Sequence, residues 1–211
     1  MEGENMKNPW ERISLTDYEN HMKLESVMQL QTMNAMMREQ FSQYSVKTIM
    51  ILGIAGGNGL EHIDPQEIRK VFGVDINKEY LAECEARYTG LNETLECLCG
   101  DLTDGEMQLP HADLMVANLL VEYIGYRCFL EAICKVEPKY VSCAIQINTD
   151  DGFVSDSPYL HAFDHLESIH YQMDEWELSA VMEGINYHKI LRKEYSLPNG
   201  KRLIRLDFKR L

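Results

Sequence analysis

The chain has 211 residues, is 45% hydrophobic and carries a formal net charge of −14. This charge would repel a phosphate backbone, so the composition argues against a nucleic-acid partner. No uncharged apolar stretch approaches the roughly 20 residues that a membrane span needs, and the polar N-terminus lacks a signal-peptide core, so we expect a cytoplasmic protein without a membrane partner.

The chain begins with a predicted tail and a helical segment over residues 1–46, ahead of a main domain over residues 47–211. Thr16 and Glu19 have capping-box spacing, which predicts that a helix begins near Thr16. Apolar residues then fall on one helical stripe between Asp17 and Tyr44. The pattern leaves open whether this segment is one helix or two.

The stretch from Thr48 to Asp75 has the pattern of a cofactor-binding βαβ unit. A strand from Thr48 to Leu52 leads into a glycine-rich turn, a predicted helix, and a second strand that ends at Asp75. Asp75 is therefore placed to accept hydrogen bonds from both hydroxyls of a ribose. The dinucleotide fingerprint G-x-G-x-x-G fails in every register, and no Gly-Lys-Ser or Gly-Lys-Thr follows the turn, which argues against a pyrophosphate site and a P-loop.

Strands and helices continue to alternate after Asp75. Asn77 is a predicted N-cap of the next helix, and Asp101 and Leu102 follow the third strand. Asn118 ends the fourth strand, at the sheet edge where ligands bind in open α/β sheets. The remaining predicted segments of this part are the strands Leu95–Cys99, Ala112–Asn118 and Tyr140–Ile147 and the helix Tyr126–Val136.

The C-terminal part is predicted to contain a loop, a helix and a hairpin. The loop runs from Asn148 to Pro158, and a capping box of Asp174 and Glu177 opens the helix, with Trp176 facing inward. The hairpin strands Tyr187–Leu197 and Leu203–Lys209 flank a Pro-Asn-Gly turn.

The sequence offers no convincing metal site. Its six cysteines form no CxxC pair and have no histidine partner at metal spacing, so we expect reduced, mostly buried thiols. His161 and His165 are four residues apart but lack an obvious third ligand.

The glycine turn resembles the first motif of the class I S-adenosylmethionine-dependent methyltransferases, acid-x-G-x-G-x-G after the first strand. The matching positions are Gly53, Ala55, Gly57 and Gly59, so the acid and the first glycine of the motif are replaced here. The later glycines and Asp75 agree with the pattern. The order of elements over residues 48–211 also agrees, including the terminal hairpin.

This resemblance implies a Rossmann-like α/β fold with a mostly parallel seven-stranded sheet, a terminal antiparallel hairpin and an N-terminal helical lid. It implies S-adenosylmethionine as cofactor, with the ribose on Asp75, the adenine at Asp101 and Leu102, and Asn118 near either the methionine part or the acceptor. The full set of expected cofactor-binding residues is Gly53, Ala55, Gly57, Asn58, Gly59, Asp75, Ile76, Asp101, Leu102 and Asn118.

The expected activity is methyl transfer to a small-molecule acceptor. Positioning supplies most of such catalysis, and a base is needed only for an alcohol, a phenol or a protonated amine. The candidates for acceptor orientation or proton transfer are Glu122, Tyr123, His21 and Tyr18, although Glu122 would equally suit an exposed acid at a helix start. Two alternatives stay open: an inactive cofactor-binding or regulatory protein, and another nucleotide-cofactor α/β enzyme such as a dehydrogenase.

Overall fold

The computed structural model describes residues 8–148 and 152–211. A seven-stranded sheet with the order β3-β2-β1-β4-β5-β7-β6 organises the chain. Neighbouring strands are parallel from β3 to β5, and β7 runs antiparallel to both β5 and β6. The strands are β1 Thr48–Leu52, β2 Lys70–Asp75, β3 Leu95–Cys99, β4 Leu114–Asn118, β5 Tyr140–Ile147, β6 Tyr187–Ser196 and β7 Arg202–Arg210. The predicted fold class, including the terminal hairpin, is confirmed.

Helices cover both faces of the sheet because the central strands alternate their side chains between two apolar layers. On one face, β1 and β4 contribute Met50 and Met115 to the core with α4 and α5; on the other, Ile49 and Leu114 pack toward α2 and α3. No helix among residues 8–148 and 152–211 has the length and apolarity to cross a bilayer. The α-helices are α1 Leu15–Met22, α2 Gln29–Gln43, α3 Lys78–Arg87, α4 Val121–Val136 and α5 Glu175–Glu183.

The N-terminal helical segment is two helices, and its predicted cap is wrong. The Ser14 side chain, rather than that of Thr16, caps α1 by accepting a hydrogen bond from the Asp17 amide at 3.1 Å. Ser14 and Asp17 have the same three-residue spacing as Thr16 and Glu19 and lie two residues earlier, so the spacing alone could not choose between the two caps. Met28 adopts a left-handed conformation with φ of 55° and separates α1 from α2.

The helix predicted between β1 and β2 is absent. This connection contains only a 3₁₀ turn, Leu60–His62, with an irregular segment after it. Pro65 explains the difference, because its ring removes a backbone donor and disfavours the helical conformation of Asp64. The prediction that Trp176 faces inward is also wrong, since this residue is 74% exposed on α5.

A buried charge pair lies on β7, the hairpin strand that pairs with β5. Arg205 and Asp207 of β7 are both fully buried, and Arg205 Nε donates to Asp207 Oδ1 at 2.8 Å. The same carboxylate accepts hydrogen bonds from the hydroxyls of Ser142 on β5 and Tyr44. Gln40 of α2 continues the network by donating to Ser142 at 2.9 Å. This polar network joins α2, β5 and β7.

The network predicts a large difference between two arginine variants. Arg205→Met should reduce the free energy of unfolding by about 3–5 kcal/mol, because it leaves the Asp207 carboxylate buried without its guanidinium. Arg192→Met, which removes a half-exposed partner of Glu175 on β6, should cost about 1 kcal/mol or less. Urea unfolding of both variants measures the difference. Equal stabilities would show that the buried pair is not an essential interaction.

Candidate functional site

A cavity of about 700 Å³, open to solvent, lies at the carboxyl ends of the parallel strands. Its walls come from the ends of β1, β2, β3 and β4 and from the N-terminal segment. Seven of the ten expected cofactor-binding residues line this first cavity: Gly53, Ala55, Asp75, Ile76, Asp101, Leu102 and Asn118. The sheet topology brings them together because parallel strands end at the same edge.

The turn after β1 is folded back onto the end of β2. The amides of Gly53 and Ile54 both donate to the Val74 carbonyl, at 2.8 and 3.0 Å. The Ala55 amide then donates to Asp75 Oδ2 at 2.9 Å. Gly53 and Ala55 have positive φ angles of 71° and 48°, so the turn depends on the left-handed conformation at both positions.

Asp75 is fixed from two sides. Its second carboxylate oxygen, Oδ1, accepts a hydrogen bond from the Asn77 amide at 2.9 Å. Burial raises the pKa of Asp75 above its usual value, against the opposing effect of the backbone amides. The carboxylate is therefore held at the cavity wall in one orientation.

Three of the expected residues lie away from the first cavity. Asn58 faces a neighbouring pocket and donates to the Leu30 carbonyl at 3.0 Å. Gly57 and Gly59 line neither space: a Cβ atom at Gly57 would meet Tyr88 and Cys84, and one at Gly59 would meet Met37. These two glycines allow close packing under the turn. The structure does not place either of them at the wall of the first cavity.

The segment predicted as a tail takes part in the site. Asn8 and Trp10 line the first cavity, and residues 9–12 form a 3₁₀ turn. The Asn77 side chain donates to the Trp10 carbonyl at 3.0 Å, and the Tyr80 hydroxyl donates to the Ile13 carbonyl at 2.9 Å. The only sequence signal for this placement was the pair of apolar residues Trp10 and Ile13.

A second, smaller pocket of about 490 Å³ adjoins the first. The two share Trp10, Tyr18, Leu119 and Tyr123 as common wall residues. All four predicted acid–base candidates, Tyr18, His21, Glu122 and Tyr123, line the second pocket. Met22, expected from the family resemblance to face the site together with Tyr18 and His21, lines it too. Sequence reasoning missed the other side chains that complete it: Trp10, Gln29, Leu119, Gln146, Phe153, Val154, Phe163 and His170.

Glu122 is a buried acid, and the alternative of an exposed acid at a helix start is wrong. The residue is 4% exposed, one carboxylate oxygen accepts from the Gln146 amide at 3.3 Å, and Oε2 has no hydrogen-bond partner. Burial raises the pKa of Glu122 to about 7. Its carboxyl group can therefore exchange a proton near neutral pH.

The other candidates stay neutral near pH 7. Burial raises the pKa of both the Tyr18 and Tyr123 phenols, so they remain protonated. Burial also lowers the pKa of His21, whose Nδ1 lies 2.8 Å from the Ser157 hydroxyl. The loop predicted at Asn148–Pro158 contributes Phe153 and Val154 to the pocket; its residues 149–151 lie outside the described part.

The three-dimensional comparisons identify the architecture. No protein-family model and no curated protein matches the chain. Among solved structures, the N-methyltransferase NodS from Bradyrhizobium japonicum WM9, in complex with S-adenosyl-L-homocysteine, matches with a TM-score of 0.65 at 10% identity, over 93% of this chain and 97% of that one. The magnesium protoporphyrin IX methyltransferase ChlM from Synechocystis PCC 6803 matches with a TM-score of 0.62 at 10% identity, over 93% and 86%.

The chain has the class I methyltransferase fold. The [4+2]-cyclase SpnF also matches, with a TM-score of 0.65 at 10% identity, over 91% of this chain and 85% of that one. The class I methyltransferase fold therefore does not by itself define the reaction, which has to be argued from the site.

The buried acid predicts a pH-dependent stability. The folded-state pKa of Glu122 is raised from about 4.5 to about 7, so the folded protein loses stability as pH rises through this window. Glu122→Gln should remove that loss and gain on the order of 3 kcal/mol over the wild type between pH 4.5 and 8. Urea unfolding across this range measures the gain. Glu131 is a partly exposed acid on the same helix, so Glu131→Gln controls for the loss of one negative charge. If the stability difference between Glu122→Gln and wild type does not depend on pH, the raised pKa of Glu122 is contradicted.

Proposed function

We propose that this protein binds S-adenosylmethionine in the first cavity and transfers its methyl group to a small molecule in the second pocket. The observation that carries the proposal is the shared wall. Trp10, Tyr18, Leu119 and Tyr123 border both spaces, so two ligands would meet there. A transfer reaction needs this arrangement, because its two reactants must be in contact.

The residues of the first cavity suit the parts of the proposed cofactor. Asp75 offers a fixed carboxylate for the ribose hydroxyls, and Asp101 and Leu102 offer an acid and an apolar contact for the adenine. Asn118 is held by Gln40, which both donates to and accepts from its amide at 3.0 and 2.9 Å, and it would face the methionine end. That NodS and ChlM have been crystallised with S-adenosylhomocysteine or S-adenosylmethionine supports this choice of cofactor.

The protein's part in the reaction is to position the acceptor and exclude water. S-adenosylmethionine would supply an electrophilic methyl group on a sulfonium, whose thioether leaving group is neutral and needs no acid. Trp10 and Tyr18 close the site from the N-terminal side, so residues 8–22 act as the lid in this proposal. Orientation of this kind supplies effective molarities on the order of 10⁵–10⁸ M.

The second candidate function is cofactor binding without methyl transfer. The replaced motif positions Gly53 and Ala55 favour it, and the [4+2]-cyclase SpnF shows that the fold occurs in a protein with another activity. A dehydrogenase is disfavoured by the failed dinucleotide fingerprint. Calorimetry with S-adenosylmethionine and with nicotinamide cofactors separates the cofactor classes, and a methyl-transfer assay over amines, phenols, thiols and carboxylates separates catalysis from binding alone.

Removing the ribose contact should weaken cofactor binding. Asp75→Ala should reduce the affinity for S-adenosylhomocysteine by about 1.5–3 kcal/mol, the range for hydrogen bonds to a charged group. Isothermal titration measures it, with Asp64→Ala, an exposed acid that does not line the first cavity, as control. An unchanged affinity in a correctly folded Asp75→Ala protein would refute the ribose assignment.

The two tryptophans give a direct test of the lid. Trp10 lines the shared wall, whereas Trp176 is 74% exposed on α5. In a Trp176→Phe protein, the remaining tryptophan should change its fluorescence on addition of S-adenosylhomocysteine, because the ligand replaces water beside the indole. Trp10→Phe, which keeps only the exposed indole, should show no such change. The opposite pattern would show that residues 8–22 do not contact the ligand.

A further inference from the structure

The second pocket contains a buried acceptor that the protein leaves without a donor. Glu122 Oε2 has no hydrogen-bond partner within the described part of the chain, although the side chain is 4% exposed and lines the pocket. Nearly all buried polar atoms in folded proteins have a partner, and leaving one unpaired is destabilising. The other buried side-chain atom without a partner among the described residues is a donor, Trp10 Nε1. The unpaired acceptor therefore points to a ligand group that donates a hydrogen bond to Glu122.

The remaining walls of the second pocket are rich in aromatic rings. Trp10 contacts Tyr123 edge-on with centroids 4.9 Å apart, and Phe153 stacks on His170 at 4.1 Å. Phe163 completes this side, 4.8 Å from the ring of His21. Faces of such rings attract cations, and they attract them more strongly when water is excluded.

The lining of the second pocket disfavours an anionic ligand. No lysine or arginine is among the residues that line it. Burial, and secondarily Lys201, lowers the pKa of both His21 and His170, so both rings are neutral at pH 7 and above. The Lys201 ammonium itself donates to the Gly152 carbonyl.

The titratable groups near Glu122, on its own helix and on other elements, are also neutral. Burial raises the pKa of Tyr18 on α1, of Tyr123 and Tyr126 on α4, and of Cys143 on β5. These four groups therefore keep their protons at pH 8. At pH 8 the Glu122 carboxylate is therefore the charged group among the residues that line the pocket. It can act as the counter-ion of a cation that also donates a hydrogen bond.

We propose that the second pocket binds a protonated amine as the methyl acceptor, with the Glu122 carboxylate as its counter-ion and proton acceptor and the aromatic rings around it. This inference rests on the proposed methyltransferase function and narrows it to methylation of nitrogen.

The proton and the electron pairs balance. The ammonium group gives one proton to Glu122, which yields a neutral amine and a neutral carboxylic acid. The nitrogen lone pair then forms the new carbon–nitrogen bond while the carbon–sulfur pair stays on sulfur. The products are a methylated ammonium and a neutral thioether, and Glu122 releases its proton to solvent when the site opens.

The test uses sets of ligands that differ in one group. Protein saturated with S-adenosylhomocysteine is titrated calorimetrically at pH 8 with butylamine, 2-phenylethylamine and tryptamine, and with the alcohol and the carboxylate of each framework. At least one amine should bind about tenfold or more tightly than its alcohol and carboxylate. With S-adenosylmethionine, mass spectrometry should find the added methyl group on its nitrogen.

Glu122→Gln keeps the shape of the side chain and an oxygen for the Gln146 amide. In this variant the advantage of the amine over its alcohol should fall to about threefold or less, while the affinity for S-adenosylhomocysteine changes by less than about twofold. Glu131→Gln, on the same helix but outside the second pocket, should keep the preference. Phe153→Leu gives a second variant, which should weaken the amine more than the alcohol.

The outcomes separate the two proposals. If wild-type protein binds no S-adenosylhomocysteine, the proposed function fails. If it binds S-adenosylhomocysteine but no amine binds, or the alcohols or carboxylates bind as well as the amines, only the amine assignment fails. Retention of the amine preference in a folded Glu122→Gln protein also overturns it.

Discussion

The hydrogen bonds between the turn after β1 and the end of β2 set the geometry on which the first cavity depends. The Val74 carbonyl accepts two amides and the Asp75 carboxylate accepts a third. These bonds hold Ala55 in a left-handed conformation and point Asp75 into the cavity before any ligand is bound. The connection from β1 to β2 contains only a 3₁₀ turn and no long helix. The turn after β1 is therefore held in place by these hydrogen bonds.

The sheet could be predicted because its information is local. β1 and β5 are apolar runs with exact predicted bounds, and the Pro-Asn-Gly turn specifies the hairpin. The errors arose where a single residue or a distant contact overrides the pattern. Pro65 prevents a helix, and Trp176, between two glutamates, lies on the solvent side of α5 although Leu178 and Met182 of the same helix are buried. The division at residue 46 stays a prediction.

The site was predicted from strand ends more completely than from loops. Asp75 ends β2 and Asp101 comes shortly after β3, and the topology alone brings them to one cavity. The burial of Glu122 could not be predicted, because its carboxylate lies against the Gln146 amide of β5, in a pocket that Phe153 and Phe163 also line. These contacts join segments that are far apart in sequence, so no local periodicity encodes them.

The position of β7 has a consequence for the order in which the site forms during synthesis. β7 follows β6 in the chain but lies between β5 and β6 in the sheet, so β6 has no partner in the sheet until β7 has been made. Asp207 then supplies the acceptor for Ser142, which in turn fixes Gln40 against Asn118. The amide at the end of β4 is therefore oriented by a residue that the ribosome adds almost ninety positions later, and the cavity matures only when nearly the whole described chain has emerged.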